Sequence, residues 1–377
     1  MLVRISGEVK NYPWGSKTLV QDHFDLGVEN QRVSEVWFGT HDGGHSKLMG
    51  SNQLLSDAIG SKLSFLVKFL AAESPLSIQV HPNPTQAKDG FARESKAGVP
   101  IGAPERNYKD DLHKPEILIA LTKFEALCGF RPRAQLLEIF RAFADSEPRF
   151  AELAALTETG ASFEEIFMEI LDDHLLARRF TKSVQGLVAD SIAEKARLLA
   201  VGLLGKYSGD TGAVAALLLN HIKLSPGQAI FLPAGNLHAY LSGLGLEVMA
   251  ASDNVIRGGL TSKHIDKAEL RKISDFSELS NPLVAPKKLA EGLIEYQVEA
   301  SEFRVYRAEV TGSNLLADLD LPVGGLIVCV SGEVAIGTSL EEREVLKKGE
   351  VVYVGRANKF SISGGGAAFV ILGSKRP

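Results

Sequence analysis

Four side chains of the types that bind divalent metals stand near predicted strand ends in this 377-residue chain. Gln79 and His81 lie two residues apart in the segment LSIQVHPN, and in a strand such residues point to the same side. A buried amide and a buried imidazole need polar partners, which a metal ion would supply. Taken alone, the segment is more often a strand end whose polar side chains meet solvent.

A carboxylate follows in the segment His113-Lys114-Pro115-Glu116, which leads into the apolar run ILIAL. Alternation along the predicted strand puts Lys114 on the same face as Glu116. Such a pair at the mouth of a β-barrel can bind a metal, hold a phosphate or form an ordinary salt bridge. Considered alone, the salt bridge is the commonest of the three.

The second imidazole stands in FLPAGNLHAY, residues 231–240, where Pro-Ala-Gly-Asn predicts a turn between two strands. A lone histidine after such a turn is more often a core residue than a ligand. The set carries more weight, because two imidazoles and a carboxylate recur in catalytic zinc sites that keep one position open. The same donors also suit non-haem iron. The candidate ligands are Gln79, His81, Glu116 and His238.

The elements that must position these residues are mainly strands. Short runs punctuated by Gly, Pro and Asn occupy the chain before and after a helical stretch rich in Ala, Leu and Glu. Within that stretch, Ser162 precedes Glu165 by three residues and predicts a capping box. The pattern predicts a mainly β fold with a helical insertion, and many short strands favour a sandwich or barrel over a doubly wound sheet. The predicted domains are residues 1–133 with 221–285, the insertion 134–220, and a C-terminal barrel at 286–377.

An internal repeat supports two related barrels. Residues 224–243 (LSPGQAIFLPAGNLHAYLSG) align without gaps with residues 346–365 (LKKGEVVYVGRANKFSISGG). His238 of the first copy corresponds to Phe360 of the second. We therefore expect the second barrel to lack metal ligands and to have a structural role.

Composition limits the classes of partner. The net charge is −5, and the 41 basic and 46 acidic side chains are interspersed, which argues against a nucleic-acid or membrane partner. The N-terminal segment lacks the apolar run of a signal peptide, and the apolar stretches of the helical region are too short to span a bilayer. Cys128 and Cys329 are far apart in apolar surroundings, so we expect buried free thiols and a cytoplasmic location.

One histidine-rich segment is discounted. His41-Asp42-Gly43-Gly44-His45 has metal-binding side chains, but its glycines and short length predict a surface turn.

Several longer motifs, taken in chain order, identify a family. They are NYPWGS at 11–16, SEVWFGTH at 34–41, PLSIQVHPN at 75–83, ERNYKD at 105–110 followed by HKPE at 113–116, PAGNLHAY at 233–240, and GLEVMA…SDNVIRGGLT at 245–261. With them the chain resembles the type I mannose-6-phosphate isomerases of the cupin superfamily. The resemblance implies two cupin-type (jelly-roll) β-barrels plus an α-helical domain.

The resemblance also implies roles for individual residues. It places one Zn2+ per chain on the four candidate ligands and makes Arg257 the catalytic arginine. Asp253, Lys68, His113 and Lys114 match further active-site positions, with Lys68, Lys114 and Arg257 as substrate contacts. Local alternatives are an Arg257–Asp253 ion pair and a solvated Lys68. The candidates for the acid–base pair that opens the sugar ring are His113, Lys114 and Asp253. By alternation along LGLEVM, Glu247 shares a face with Met249 and is a candidate for the proton shuttle instead.

The implied reaction is the zinc-dependent interconversion of mannose 6-phosphate and fructose 6-phosphate, in mannose metabolism, through a cis-enediol intermediate. The implied partner is a sugar phosphate, and we expect a monomer or weak homo-oligomer. Two alternatives stay open. One is a different metal-dependent cupin enzyme, such as an iron oxygenase using His81, Glu116 and His238. The other is a non-enzymatic sugar-binding bicupin.

Overall fold

Two antiparallel sheets and a block of helices make up the protein. The computed structural model describes residues 1–28, 31–183, 189–312, 315–317, 324–339, 341–356 and 360–373. The predicted mainly β fold with a helical insertion is confirmed. In the described part of the chain, each sheet is an open path of paired strands and does not close into a ring.

The first sheet has eleven strands. They are β2 (Glu8–Lys10), β3 (Glu35–His41), β4 (Gly44–His45), β6 (Phe65–Ala72), β7 (Ile78–Val80), β8 (Glu116–Ala120), β9 (Phe124–Phe130), β10 (Leu219–Leu224), β11 (Ala229–Leu232), β12 (His238–Ala250) and β13 (Ile256–Gly259).

The second sheet has ten strands. They are β1 (Leu2–Ser6), β5 (Lys47–Leu48), β14 (Pro286–Ala290), β15 (Leu293–Tyr296), β16 (Phe303–Thr311), β17 (Leu315–Ala317), β18 (Gly325–Thr338), β19 (Arg343–Lys347), β20 (Val351–Val354) and β21 (Phe360–Gly373).

Most of the helical residues lie between β9 and β10. The helices are α1 (Leu19–His23), α2 (Leu55–Ile59), α3 (Pro84–Lys96), α4 (Arg133–Ala144), α5 (Pro148–Glu158), α6 (Phe163–Asp172), α7 (Leu176–Ser183), α8 (Ile192–Lys206), α9 (Gly212–Ala215) and α10 (Lys267–Ile273), with a 3-10 turn at Ala216–Leu218. The predicted capping box is confirmed, because Ser162 and Glu165 exchange both of its hydrogen bonds at the start of α6.

Strand β12 organises the first sheet. Its first part pairs with β9, and its second part pairs with β6 and β8. The change of partner falls at Gly243, whose φ is 117°. A Cβ there would stand 2.5 Å from the carbonyl oxygen of Lys123, so only glycine fits. On the two sides of Gly243, β12 therefore places His238 beside β9 and Glu247 beside β6.

The helical insertion supports the strand that carries two candidate ligands. Ile78 and Val80 of β7 are fully buried in the same apolar cluster as α4, α5, α6 and α8. Because side chains alternate along a strand, Gln79 and His81 face the opposite side. The helices therefore fix the orientation of β7 through its apolar face.

The repeat in the sequence has a structural counterpart. β11 and β20 cover the same positions of the two copies, and His238 and Phe360 each begin the long strand that follows. The second sheet includes β1 from the start of the chain, which pairs with β20. The sheets therefore do not coincide with the predicted domains, whose boundaries stay a prediction.

Two further expectations concern the cysteines and the helices. Cys128 and Cys329 are both buried and unpaired, as predicted. Within the described ranges, none of the helices has the length and apolar character needed to cross a membrane.

Candidate functional site

His81 lies directly after β7 and is 1% exposed. Its Nδ1 is 2.8 Å from the backbone carbonyl oxygen of Asn254, so Nδ1–H donates and Nε2 carries the lone pair. Nε2 is buried and has no hydrogen-bond partner among the described residues. Burial lowers the pKa of His81 to about 4, so the ring is neutral at pH 7.

His238 repeats this arrangement from another strand. Its Nδ1 is 3.0 Å from the backbone carbonyl oxygen of Asn236, which again leaves Nε2 as the free nitrogen. The two Nε2 atoms approach the same carboxylate oxygen, Oε2 of Glu116, at 3.4 Å for His81 and 3.5 Å for His238. The candidate ligand atoms of these three buried residues all lie within 4.8 Å of one another.

Glu116 begins β8, and its second oxygen, Oε1, lies 3.0 Å from Nζ of Lys114. Burial alone would raise the pKa of this carboxyl group. Lys114 and the two imidazoles instead hold the pKa of Glu116 well below its ordinary value. The carboxylate is thus ionised and has one oxygen directed at the imidazole pair. The salt bridge predicted as an alternative exists, and it accompanies the histidine cluster.

Strand register brings two more predicted residues to this cluster. Gln79 of β7 stands directly opposite His238 of β12 on one side and Arg257 of β13 on the other. Residues paired in this way have side chains on the same face of a sheet. The half-buried guanidinium of Arg257 has no ion-pair partner in the described part of the chain, and burial lowers its pKa.

Lys68 is buried, so the alternative of a solvated strand residue is wrong. Its Nζ lies 2.8 Å from Glu247 and 3.4 Å from Glu35, and 5.0 Å from the centroid of the Trp37 ring. Burial alone would lower the pKa of Lys68, but the two carboxylates raise it. Burial raises the pKa of Glu247 against the opposing effect of Lys68. Alternation in the sequence predicted only which face of the strand Glu247 is on. The structure shows that Lys68 stands opposite it on the neighbouring strand.

Asp253 contacts His41, so the alternative of an ion pair with Arg257 is wrong. Its Oδ1 lies 3.6 Å from Nε2 of His41. The expectation of a surface turn at residues 41–45 is also wrong for His41, which is only 8% exposed at the end of β3 and whose pKa burial lowers. The glycines predicted the turn correctly but carried no information about what packs over it.

His113 meets a residue that the sequence gave no reason to select. Its Nε2 lies 2.6 Å from Oε1 of Glu302, in the segment just before β16. The two residues are 189 positions apart. A motif search cannot connect them, because Glu302 stands in a poorly marked part of the chain.

The donor set fits a divalent metal on the evidence of the fold itself. The orphaned Nε2 of His81 is a buried acceptor that would otherwise lose its hydration without replacement. Both histidines are fixed by backbone carbonyls in the tautomer that presents Nε2, as is usual for metal-ligating imidazoles. Two imidazoles and one carboxylate match a catalytic zinc site with an open position.

Comparison with known proteins gives the family. The profile described as phosphomannose isomerase type I, catalytic domain, matches residues 2–133. The mannose-6-phosphate isomerase of Salmonella typhimurium is 33% identical over 93% of this chain and 94% of its own length. The chain belongs to the mannose-6-phosphate isomerase family. The resemblance found in the sequence is therefore confirmed.

Other members of the mannose-6-phosphate isomerase family match this chain over nearly its whole length and have the same fold. The human mannose-6-phosphate isomerase is 30% identical over 95% of this chain and 94% of its own. A crystal structure of zinc-bound mannose 6-phosphate isomerase matches this chain with a TM-score of 0.86 and 32% identity, over 99% of this chain and all of that one. The family has the cupin fold, which confirms the predicted fold class.

Two cavities of the protein differ in whether predicted site residues line them. A cavity of about 300 Å³ is lined by His113 and Glu302 together with Ser64. A larger cleft, of about 760 Å³, lies between α8 and the outer side of β9 and β10. The larger cleft holds none of the predicted site residues, so size alone would have pointed away from the chemistry.

Proposed function

We propose that this chain interconverts mannose 6-phosphate and fructose 6-phosphate with one bound zinc ion. The observation that carries the proposal is the meeting of two fixed imidazoles at one oxygen of Glu116, in a chain of this family. Its relatives are named for this isomerase, and zinc is present in solved structures of the enzyme.

The residues that would hold the ion are Gln79, His81, Glu116 and His238. Zinc, when bound, polarises sugar oxygens and stabilises developing negative charge without any redox change. The protein keeps the ligands ready for it, because each imidazole is fixed through its other nitrogen. Lys114 holds the second oxygen of Glu116, which keeps that carboxylate ionised and in place.

Isomerisation moves one proton from C2 of the aldose to C1, through a cis-enediol, while a second proton moves between the two oxygens. This needs a group that takes and returns a proton. His113 suits the task, because Nε2 is held by Glu302 and Nδ1 has no protein partner in the described ranges. Arg257, a cation without an ion-pair partner among those residues, would stabilise the enediolate or the phosphate.

The remaining predicted residues have supporting roles in the proposal. Glu247 is paired with Lys68, so it is a weaker candidate for the proton shuttle than His113. Asp253, half-exposed and in contact with His41, forms an acid–base pair that suits opening of the pyranose ring. Lys114, buried beside Glu116, contributes positive charge for the substrate's oxygens.

The test is a coupled assay of mannose 6-phosphate conversion before chelation, after chelation, and after zinc is restored. We expect turnover that chelation removes and zinc restores. A metal-replete protein without turnover would contradict the proposal. Bound iron with no isomerase activity would instead favour the oxygenase alternative, and sugar binding without turnover would favour the non-enzymatic one.

The proposal extends to the setting in which the enzyme works. It acts on a small sugar phosphate in the cytoplasm, as a monomer or weak homo-oligomer, without a nucleic-acid or membrane partner. Buried, unpaired cysteines are in keeping with a reducing compartment. Sedimentation analysis at micromolar concentration measures the oligomeric state, and a stable higher assembly would contradict this part.

A further inference from the structure

We propose that Glu302 is a positioning residue for the isomerase reaction, holding His113 so that its Nδ1 faces the substrate as the proton-transferring atom. The inference rests on the proposed function and adds a residue that neither the motifs nor the comparisons select. It also assigns a role to the segment between β15 and β16, both strands of the second sheet, because Glu302 immediately precedes β16.

The contact between the two residues is short and supported from both sides. Nε2 of His113 lies 2.6 Å from Oε1 of Glu302. The hydroxyl of Ser301 donates to the same oxygen at 3.0 Å. The backbone carbonyl of Glu302 accepts a hydrogen bond from the hydroxyl of Ser64 at 2.6 Å, which ties the segment to the start of β6. The carboxylate therefore has a fixed place from which to orient the ring.

The position of the carboxylate is costly for the fold. The Glu302 side chain is 16% exposed, and its Oε2 is buried without a hydrogen-bond partner among the described residues. A buried unpartnered oxygen on a charged group destabilises the folded state. Burial acts to raise the pKa of Glu302, but His113 and Ser301 lower it overall, so the group is ionised. Costs of this kind are common where a residue serves function.

The contact selects one tautomer of His113. A carboxylate only accepts hydrogen bonds when ionised, so Nε2 carries the hydrogen and Nδ1 is left to exchange a proton. The same logic applies when the ring is charged, since the carboxylate then stabilises the imidazolium and Nδ1–H is the acid. Without Glu302 the ring would rotate and sample both tautomers, and fewer molecules would present Nδ1 correctly.

The experiment is a double-mutant cycle on the zinc-loaded enzyme. We expect Glu302→Ala to lower kcat about 10- to 100-fold, as loss of an orienting partner does at other sites, with KM and zinc content within twofold of wild type. Glu302→Gln should recover part of the loss, because its amide oxygen still accepts from Nε2–H. His113→Ala/Glu302→Ala should have the same kcat as His113→Ala alone, because Glu302 acts only through His113.

The controls separate positioning from a merely structural contact. Glu299→Ala changes an exposed carboxylate three residues away and should leave kcat unchanged. Independent losses of kcat in the double variant, or an unchanged kcat in Glu302→Ala, would overturn the inference. If Glu302→Ala fails to fold, Glu302→Gln replaces it in the same cycle. An inactive wild-type enzyme would overturn the proposed function itself, which is a different outcome from an active wild type with an unaffected variant.

Discussion

His238 and Phe360 begin the two long strands that occupy matching places in the two copies of the repeat. Around His238 the structure gathers an imidazole, a carboxylate and a lysine. Around Phe360, which is 2% exposed, the partners across the sheet are Thr338 and Ala317. One strand arrangement thus supports either a polar site or an apolar core.

The difference shows what a polar interior requires. In the second sheet, side chains such as Val334, Ile336 and Ile362 fill the space around Phe360 and need no partners beyond contact. In the first sheet each buried polar group needs a specific neighbour, as Lys68 has in Glu35 and Glu247. The ligand set therefore depends on a wider group of supporting residues, and changes there should reach the site.

The largest effect is expected from giving the first copy the residue of the second. His238→Phe removes one imidazole and should abolish stoichiometric zinc binding together with isomerase activity. Metal content after dialysis and the coupled assay measure both. A variant that keeps one zinc per chain would show that His238 is not a ligand.

The reciprocal change is the matched control. Phe360→His places an imidazole at the start of β21, where the surrounding cluster is apolar. A second zinc ion should not bind, because a single imidazole without a carboxylate partner makes a poor site. Two zinc ions per chain in Phe360→His would contradict the view that neighbours, and not the strand position, make the site.

A smaller effect is expected from the buried ion pairs of Lys68 with Glu35 and Glu247. Lys68→Met leaves Glu35 and Glu247 buried beside each other without their cation, and should lower the free energy of unfolding by about 3 to 5 kcal/mol. Urea unfolding monitored by tryptophan fluorescence measures the change. Lys347→Met in β19, an exposed lysine of the second sheet, should stay within about 0.5 kcal/mol. Equal effects of the two substitutions would show that the first interior has no special need for its lysine.

The smallest effect concerns the difference in acid sensitivity between the two sheets. All nine histidines precede residue 265, so the C-terminal strands of the second sheet contain none. Burial lowers the pKa of His41 and of His221, so each ring takes up its proton at a lower pH in the folded state than in the unfolded state. An unfolded imidazole binds a proton near pH 6.5, so below about that pH the unfolded state binds more protons and stability falls as the pH falls.

We therefore expect acid to weaken the first sheet before the second. Hydrogen exchange measured by mass spectrometry at pH 7 and pH 5.5, corrected for intrinsic rates, should show faster opening of β3 and β10 at the lower pH. His221→Gln should reduce the effect in β10. Equal acid-induced opening of β18 and β21 would contradict the prediction.

Much of the fold and part of the site could be predicted from local patterns in the sequence. The capping box at Ser162 was predictable because both of its partners lie within four residues. Period-two alternation in LSIQVHPN put Gln79 and His81 on one face, since strand geometry repeats at short range. The family resemblance then linked segments that no local pattern connects.

Contacts between distant segments were not predictable in the same way. Alternation could show the face of Glu247 but not that Lys68 stands across from it, since strand pairing depends on register and topology. The approach of Glu302 to His113 depends on how the second sheet sits against the first. His41 was misjudged because burial is decided by what packs over a turn, and not by the turn's own residues.

The pairing of β1 with β20 has a consequence for synthesis on the ribosome. Residues 2–6 are translated long before their partner at 351–354. At typical bacterial or eukaryotic elongation rates the interval is roughly 20 to 70 s. For that time an edge of β1 is available to any other extended chain. The nascent polypeptide therefore has to keep β1 from aggregating until residues 351–354 are translated.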